Sequence, residues 1–227
     1  MKQNTLQGNS KVYNSQADIY EEFVDAEDYS KKILKFLKPK IENKIVLDVG
    51  CVNGKFASEM AHLSSKYIGI DISEAQINKA KVKTAENKNV KLICCSATNL
   101  PLPSESVDIV ISLWAVSVIR GRRNKRKVLK EMERVLKKDG EIYLVENDFS
   151  GDFEIMRGHP IRTKKYHKWL EKNGFKSKKM VTYFNFKSFE DAKRIFHAIW
   201  KGRVSNKVKN KVINHNIVLF SKKKSFK

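Results

Sequence analysis

Apolar positions along the chain alternate between two periods. Ile45 to Gly54 reads Ile-Val-Leu-Asp-Val-Gly-Cys-Val-Asn-Gly, a short apolar run that stops at paired glycines. That pattern predicts a buried strand ending in a tight turn that opens a helix. Upstream, Ile19, Phe23 and Ala26 share one helical face, and Tyr29, Ile33, Leu34, Phe36 and Leu37 form a second stripe ending before Pro39. One or two helices are therefore expected over Ala17 to Lys38.

Past the turn, Phe56, Ala57, Met60, Ala61 and Leu63 recur at helical spacing. Tyr67 to Asp71 is a strand ending in an acid. Ser73-x-x-Gln76 reads as a capping box for a helix through about Glu86. Val90 to Cys95 is a third strand, 96–103 its exit loop, and Val107 to Ser112 a fourth strand. Val128, Leu129, Met132, Val135 and Leu136 form a helix face, with Asp139-Gly140 as its stop and Glu141 to Glu146 as a fifth strand. Strands alternating with helices predict an α/β fold with a doubly wound, mostly parallel sheet.

The last third reads differently. Pro160 to Asn173 is a basic helix carrying Tyr166, Trp169 and Leu170, and Met180 to Phe186 alternates as a strand. Ser188 caps a helix with Ile195, Phe196, Ile199 and Trp200, and Ile213 to Phe220 is the final strand. The two late strands are expected to pair antiparallel at one sheet edge. At 227 residues the chain suits one domain, residues 1–227, divided into a helical cover (1–44), a ligand-binding core (45–150) and a basic C-terminal part (151–227).

Charge sharpens that division. The net charge is +21; residues 1–150 carry 25 Lys+Arg against 20 Asp+Glu, and residues 151–227 carry 21 against 5. Such an excess fits either a lysine-rich solvated surface or a face for a polyanion. Met1 to Ser10 lacks an apolar signal core, and no stretch has the roughly 18 apolar residues of a membrane span, so a cytoplasmic protein with no membrane partner is expected. Cys51, Cys94 and Cys95 form no paired spacing and suit a reducing compartment.

The glycine turn lets backbone N–H groups approach a ligand closely. Asp71, 17 residues beyond Gly54, is placed to accept from a ribose diol. Nicotinamide and adenosyl ligands both suit this much. A nicotinamide loop, however, wants glycines where Val52 and Lys55 stand.

Five segments in order, Val46-Leu47-Asp48-Val49-Gly50-Cys51-x-x-Gly54, Gly69-Ile70-Asp71-Ile72-Ser73, Ser96-Ala97-x-x-Leu100-Pro101, Val107-Asp108-Ile109-Val110 and Arg134 to Gly140, resemble the class I S-adenosylmethionine-dependent methyltransferases. The resemblance implies a Rossmann-like seven-stranded sheet with an antiparallel last strand, and S-adenosyl-L-methionine as cofactor. It implies that Gly50, Cys51 and Gly54 meet the methionine half and that Asp48 holds the loop. Asp71 would take the ribose hydroxyls, Ile72, Ser96 and Ala97 the adenine, and the Leu113 backbone the amino group. One position departs from the family: Val52 replaces a glycine, and a β-branched residue resists positive φ.

Methyl transfer from a sulfonium can rest on alignment and water exclusion, so no local catalytic motif is required. Trp114 is the candidate for substrate contact, and Glu146, Asp148 and His159 are the candidate bases. His62, His167, His197 and His215 read as surface or packing residues, and Tyr13 and Tyr20 as lid candidates. No Asn-Pro-Pro-Tyr-like tetrad follows the fourth strand, which disfavours adenine-amine methylation in that manner. No cysteine follows the fourth or fifth strand to attack a pyrimidine. Asn147-Asp148 resembles part of a catechol-type metal site, but the acid after the fourth strand is missing, which predicts no metal. Three functions stay open: transfer to a small-molecule substrate, transfer to RNA held by residues 120–127 and 157–224, and a non-catalytic cofactor- or RNA-binding module.

Overall fold

The computed structural model describes residues 17–27 and 31–224. Tyr13 and Tyr29 lie outside the described residues. Helices α1 (Ala17–Ala26) and α2 (Lys32–Ile41) precede β1 (Ile45–Val49), α3 (Ala57–Leu63), β2 (Lys66–Asp71), α4 (Glu74–Lys83) and β3 (Val90–Cys94). Then come β4 (Val107–Leu113), α5 (Arg122–Val135), β5 (Leu136–Asn147), α6 (Asp152–Arg157) and α7 (Pro160–Lys172). The chain closes with β6 (Lys176–Met180), β7 (Tyr183–Asn185), α8 (Phe189–Trp200), α9 (Gly202–Ser205), β8 (Val212–Asn214) and β9 (Ile217–Lys223).

Seven strands form one sheet in the order β3-β2-β1-β4-β5-β9-β6. The β1–β5 neighbours all pair in parallel, and β9, last in sequence, inserts antiparallel between β5 and β6. This is the doubly wound sheet expected from the strand and helix alternation. Its order reverses between β1 and β4, and a crevice opens at the carboxyl ends of those strands. Both faces are covered: Leu47, Val110, Met132 and Leu144 bury one side, and Ile33, Met60, Ile111 and Val145 the other.

Three local expectations are corrected. α5 stops at Val135, not at Gly140, because Leu136 already pairs with Val107; Glu141 then pairs with Ile109, so the residues between form a bulge. Gly140 serves that bulge, since a Cβ there would stand 2.7 Å from the Asp108 carbonyl oxygen. Pro39 lies inside the last turns of α2, not beyond it. The strand expected over Met180 to Phe186 is broken. Met180 ends its pairing with β9 at Ile217, the chain turns at Thr182, and Tyr183–Asn185 pairs with Val212–Asn214 in a separate small sheet.

That small sheet anchors a third apolar cluster. Phe23 from α1 meets Phe153, Phe184, Phe196 and Trp200 at ring-centroid distances of 5.1 to 6.2 Å. α1 is also tied by charge, Lys79 to Asp18 and Glu21 at 2.5 and 2.8 Å and Arg194 to Glu22 at 2.5 Å. The apolar contacts fix its position, and these exposed pairs add little. No helix among the described residues is long and apolar enough to cross a membrane.

Candidate active site

At the end of β1 the backbone N–H groups of Gly50 and Cys51 both donate to the Ile70 carbonyl, at 2.8 and 2.9 Å. The loop is thereby folded back over β2. Gly50 has φ +84°, and a Cβ there would stand 2.4 Å from Ala115 Cβ, so only glycine fits this approach to the loop after β4. Val52 sits at φ +50°, in the left-handed region that β-branched residues avoid. Trp114, in the loop after β4, is likewise left-handed at φ +55°. Strain of this kind concentrates at ligand clamps.

The cleft has two chambers. One is lined by Val49, Asp71, Ile72, Ser96, Ala97 and Thr98, and the other by Asp48, Cys51, Asn53, Lys55, Asn147 and Arg157. Tyr20, Gly50, Val52, Leu113, Trp114 and Val118 line both, forming the neck between them. Eight of the nine expected cofactor residues therefore meet at one cleft: Asp48, Gly50, Cys51, Asp71, Ile72, Ser96, Ala97 and Leu113. Gly54 lines neither chamber. Its φ of +72° and the 3.0 Å to Ala80 Cβ show it instead letting α4 pack against the turn.

Two buried carboxylates govern the electrostatics. Asp71 accepts from Ser73 N–H at 2.8 Å and Val52 N–H at 3.2 Å, one bond to each oxygen. Each oxygen can accept another, so capacity for a diol remains. Burial raises its pKa, and these backbone bonds oppose the rise. Asp48 accepts from Tyr67 Oη at 2.6 Å, while its Oδ1 is buried without a partner. Burial pushes this carboxyl up to about 7, with the Asp71 charge adding to the rise and Tyr67 opposing it.

Asn53 Nδ2 and Trp114 Nε1 are also buried and unpartnered in the second chamber. A buried carboxylate oxygen with two unmet donors, beside an apolar chamber carrying a diol acceptor, fits the polar and adenosyl ends of S-adenosylmethionine.

α1 roofs the second chamber. Lys55 Nζ donates to the carbonyls of Val24 and Glu27, clamping the end of α1 to the loop. Tyr20, Phe23, Trp114, Phe153 and Trp200 give that chamber aromatic walls.

The base candidates separate. Asp148 lines no part of the cleft; it holds Ser150 through N–H and hydroxyl bonds of 3.3 and 2.8 Å and pairs with Lys179 at 3.2 Å. Glu146 and His159 line an adjoining chamber. Glu146 accepts from Ser117 N–H at 3.1 Å and Tyr166 Oη at 2.9 Å, and burial pushes it up to about 6.

His215, expected as a surface or packing residue, is fully buried against the site. Its ring stacks 5.6 Å from Trp114 and 4.3 Å from Phe184, and its Nε2 lies 2.8 Å from Asn147 Oδ1. Burial holds it neutral. No local signal marks a lone histidine before a strand for this role; long-range packing brings it there.

Residues 47–144 match a family model described as a methyltransferase domain. The chain is 34% identical over 125 residues to phosphoethanolamine N-methyltransferase 3 of Arabidopsis thaliana, covering 53% of this chain and 25% of that protein. It is 29% identical over 113 residues to a tRNA (carboxymethyluridine(34)-5-O)-methyltransferase of the same plant, covering 50% of this chain and 26% of that one. This chain thus spans about a quarter of the length of these relatives. A solved SAM-dependent methyltransferase from Thermotoga maritima superposes with a TM-score of 0.62 at 19% identity, covering 95% of this chain and 99% of that one, and shows the same fold. Domain match, sheet order and cleft agree: residues 47–144 match a methyltransferase domain, and the sheet they belong to has the fold of the solved S-adenosylmethionine-dependent methyltransferase.

Proposed function

We propose that the chain transfers a methyl group from S-adenosylmethionine to a small-molecule acceptor. The observation that carries this reading is the roofed second chamber: α1 closes over it, and the acceptor must fit between the Trp114 and Trp200 walls. In this assignment Asp71 takes the ribose hydroxyls, Ile72, Ser96 and Ala97 surround the adenine, and Asp48, Gly50, Cys51 and Leu113 meet the methionine half. Bound S-adenosylmethionine supplies a methyl on a charged leaving group, suited to in-line displacement. The protein's part is alignment and exclusion of water. Trp114, at the neck, faces both chambers and is the acceptor's wall. A cytoplasmic location accompanies this reading, supported by three free cysteines.

A second reading, transfer to RNA, is favoured by the exposed basic face of α5, where Arg122, Arg123, Arg126, Lys127 and Lys130 stand in a row of turns. The deciding experiment measures S-adenosylhomocysteine release with fractionated cell extract. Turnover with the low-mass, nuclease-treated fraction is expected. Turnover only with the high-mass fraction, lost on nuclease treatment, overturns the small-molecule assignment.

A further inference from the structure

A third chamber adjoins the acceptor pocket and shares Ser117, Val118, Asn147, Arg157 and Trp200 with it. Its volume is about 340 Å³. Four helices, α5, α6, α7 and α9, with the junction before α7 and the loop after β4, bring Arg120, Lys125, Arg157, His159, Arg162 and Arg203 to its walls. Two acids face them, and both are already engaged. Glu154, 2% exposed, accepts from Arg157 Nη1 at 3.0 Å, Asn147 Nδ2 at 3.3 Å and the Thr163 hydroxyl. Glu146 is held by Ser117 and Tyr166.

Arg157 is matched by Glu154 and Lys125 lies near Glu146, whereas Arg162 and Arg203 are paired with neither acid. Among the described residues, Arg162 and Arg203 form no ion pair, whereas Arg134 and Arg194 on the outer surface do. Arg203 donates to the Arg157 carbonyl and to His159 Nε2, both at 2.9 Å, so its charge rests on neutral partners. That bond makes His159 Nε2 an acceptor, and burial with Arg157 and Arg203 nearby lowers the histidine's pKa. Lys125 donates to the carbonyls of Val116 and Ser117 at 2.6 and 2.5 Å, and its partial burial, with Arg162 close by, lowers it to about 8. Arg157 Nε is buried without a partner. Arg162 and Arg203 are exposed, and crowding them beside the half-buried Arg157 and Lys125 is costly unless an anion joins them.

We propose that this chamber binds a dianionic phosphate group carried by the acceptor, which places the acceptor among phosphate monoesters; that the phosphate's carrier is the acceptor rests on the methyl transfer proposed above. Guanidinium forks match the several lone pairs of a phosphate better than one carboxylate does. The cations line a concavity that shares five residues with the acceptor pocket and continues past Lys125, His159 and Arg162 into a groove with Arg122 and Lys165; its junction with the roofed acceptor pocket favours a small anion over a polynucleotide.

The test is calorimetric titration of the full chain with inorganic phosphate, at ionic strength held constant with chloride. Saturable binding is expected, with Arg162→Gln and Arg203→Gln each weakening it about tenfold and Arg162→Lys retaining part of it. Lys66→Gln with Lys91→Gln, at the far end of the sheet, is expected to leave it unchanged. Absence of saturation, equal loss in the distant double variant, or equal affinity for acetate overturns the proposal. Competition by single-stranded RNA that the Arg162 and Arg203 variants abolish reassigns the chamber to a polynucleotide and overturns it too. A parallel titration with S-adenosylhomocysteine separates the two readings. Phosphate binding without it removes methyl transfer and leaves the anion site, and the reverse result removes the anion site alone.

Discussion

Val52 donates its backbone N–H to Asp71 Oδ2 at 3.2 Å, so the residue that departs from the family's glycine is tied to the carboxylate at the end of β2. The bond is made from a left-handed backbone, φ +50°, and the same residue lines both chambers of the cleft. Valine therefore keeps the loop geometry that glycine would have, at a cost of about 1–3 kcal/mol in strain. What it changes is the neck.

Val52→Gly is expected to relieve that strain while losing about 0.5–1 kcal/mol to backbone entropy, leaving stability within about 2 kcal/mol of wild type. Removing the side chain widens the neck, so S-adenosylmethionine should bind more tightly. Calorimetry and urea denaturation measure the two effects. Weaker cofactor binding in the glycine variant would show that valine contributes a contact.

Asp48 is expected to make cofactor binding depend on pH. Its carboxyl, pushed up to about 7, holds a proton at pH 6, and a cationic ligand beside Oδ1 favours the ionised form. Affinity for S-adenosylmethionine is expected to rise from pH 6 to 8 and then level off, and Asp48→Asn to flatten the profile. Stability moves the other way. Between about pH 4 and 7 the unfolded chain has lost this proton and the folded chain keeps it, so stability attributable to Asp48 falls as pH rises. Denaturation at pH 5 and 8, wild type against Asp48→Asn, reads that slope.

Tyr166→Phe removes the hydroxyl that Glu146 accepts from at 2.9 Å. A buried carboxylate losing a donor is expected to cost about 1–3 kcal/mol in denaturant unfolding. The loss should be largest above pH 6, where Glu146 is ionised in the fold, and smaller below it. An equal loss at pH 5 and 8 would make Tyr166 a packing residue only.

Lys55→Met leaves the Val24 and Glu27 carbonyls without their lysine donor and is expected to loosen α1. Faster amide hydrogen exchange over Ala17–Ala26, with the sheet unaffected, is the predicted signature. Unchanged exchange would assign the hold on α1 to Phe23 and its aromatic neighbours.

Local patterns determined much of this protein. Strands β1 to β5, the turn at Gly50, Asp71 at the end of β2, and the caps at Ser73 and Ser188 are all legible, because apolar period and side-chain capping act within a few residues. The cleft followed from strand order, which β-α alternation constrains.

Tertiary structure decided the rest. Gly140 looked like a helix stop because its sequence neighbours allow that role, but pairing of Leu136 with Val107 claims the chain first. Gly54 looked like a cofactor residue, yet Ala80, 26 positions along, takes the space its missing Cβ leaves. His215 and the cation chamber drew on residues from many elements. Their burial and charge exist only after those elements meet, since no short window of sequence carries the distance between Arg162 and Arg203 or the stacking of His215 on Trp114.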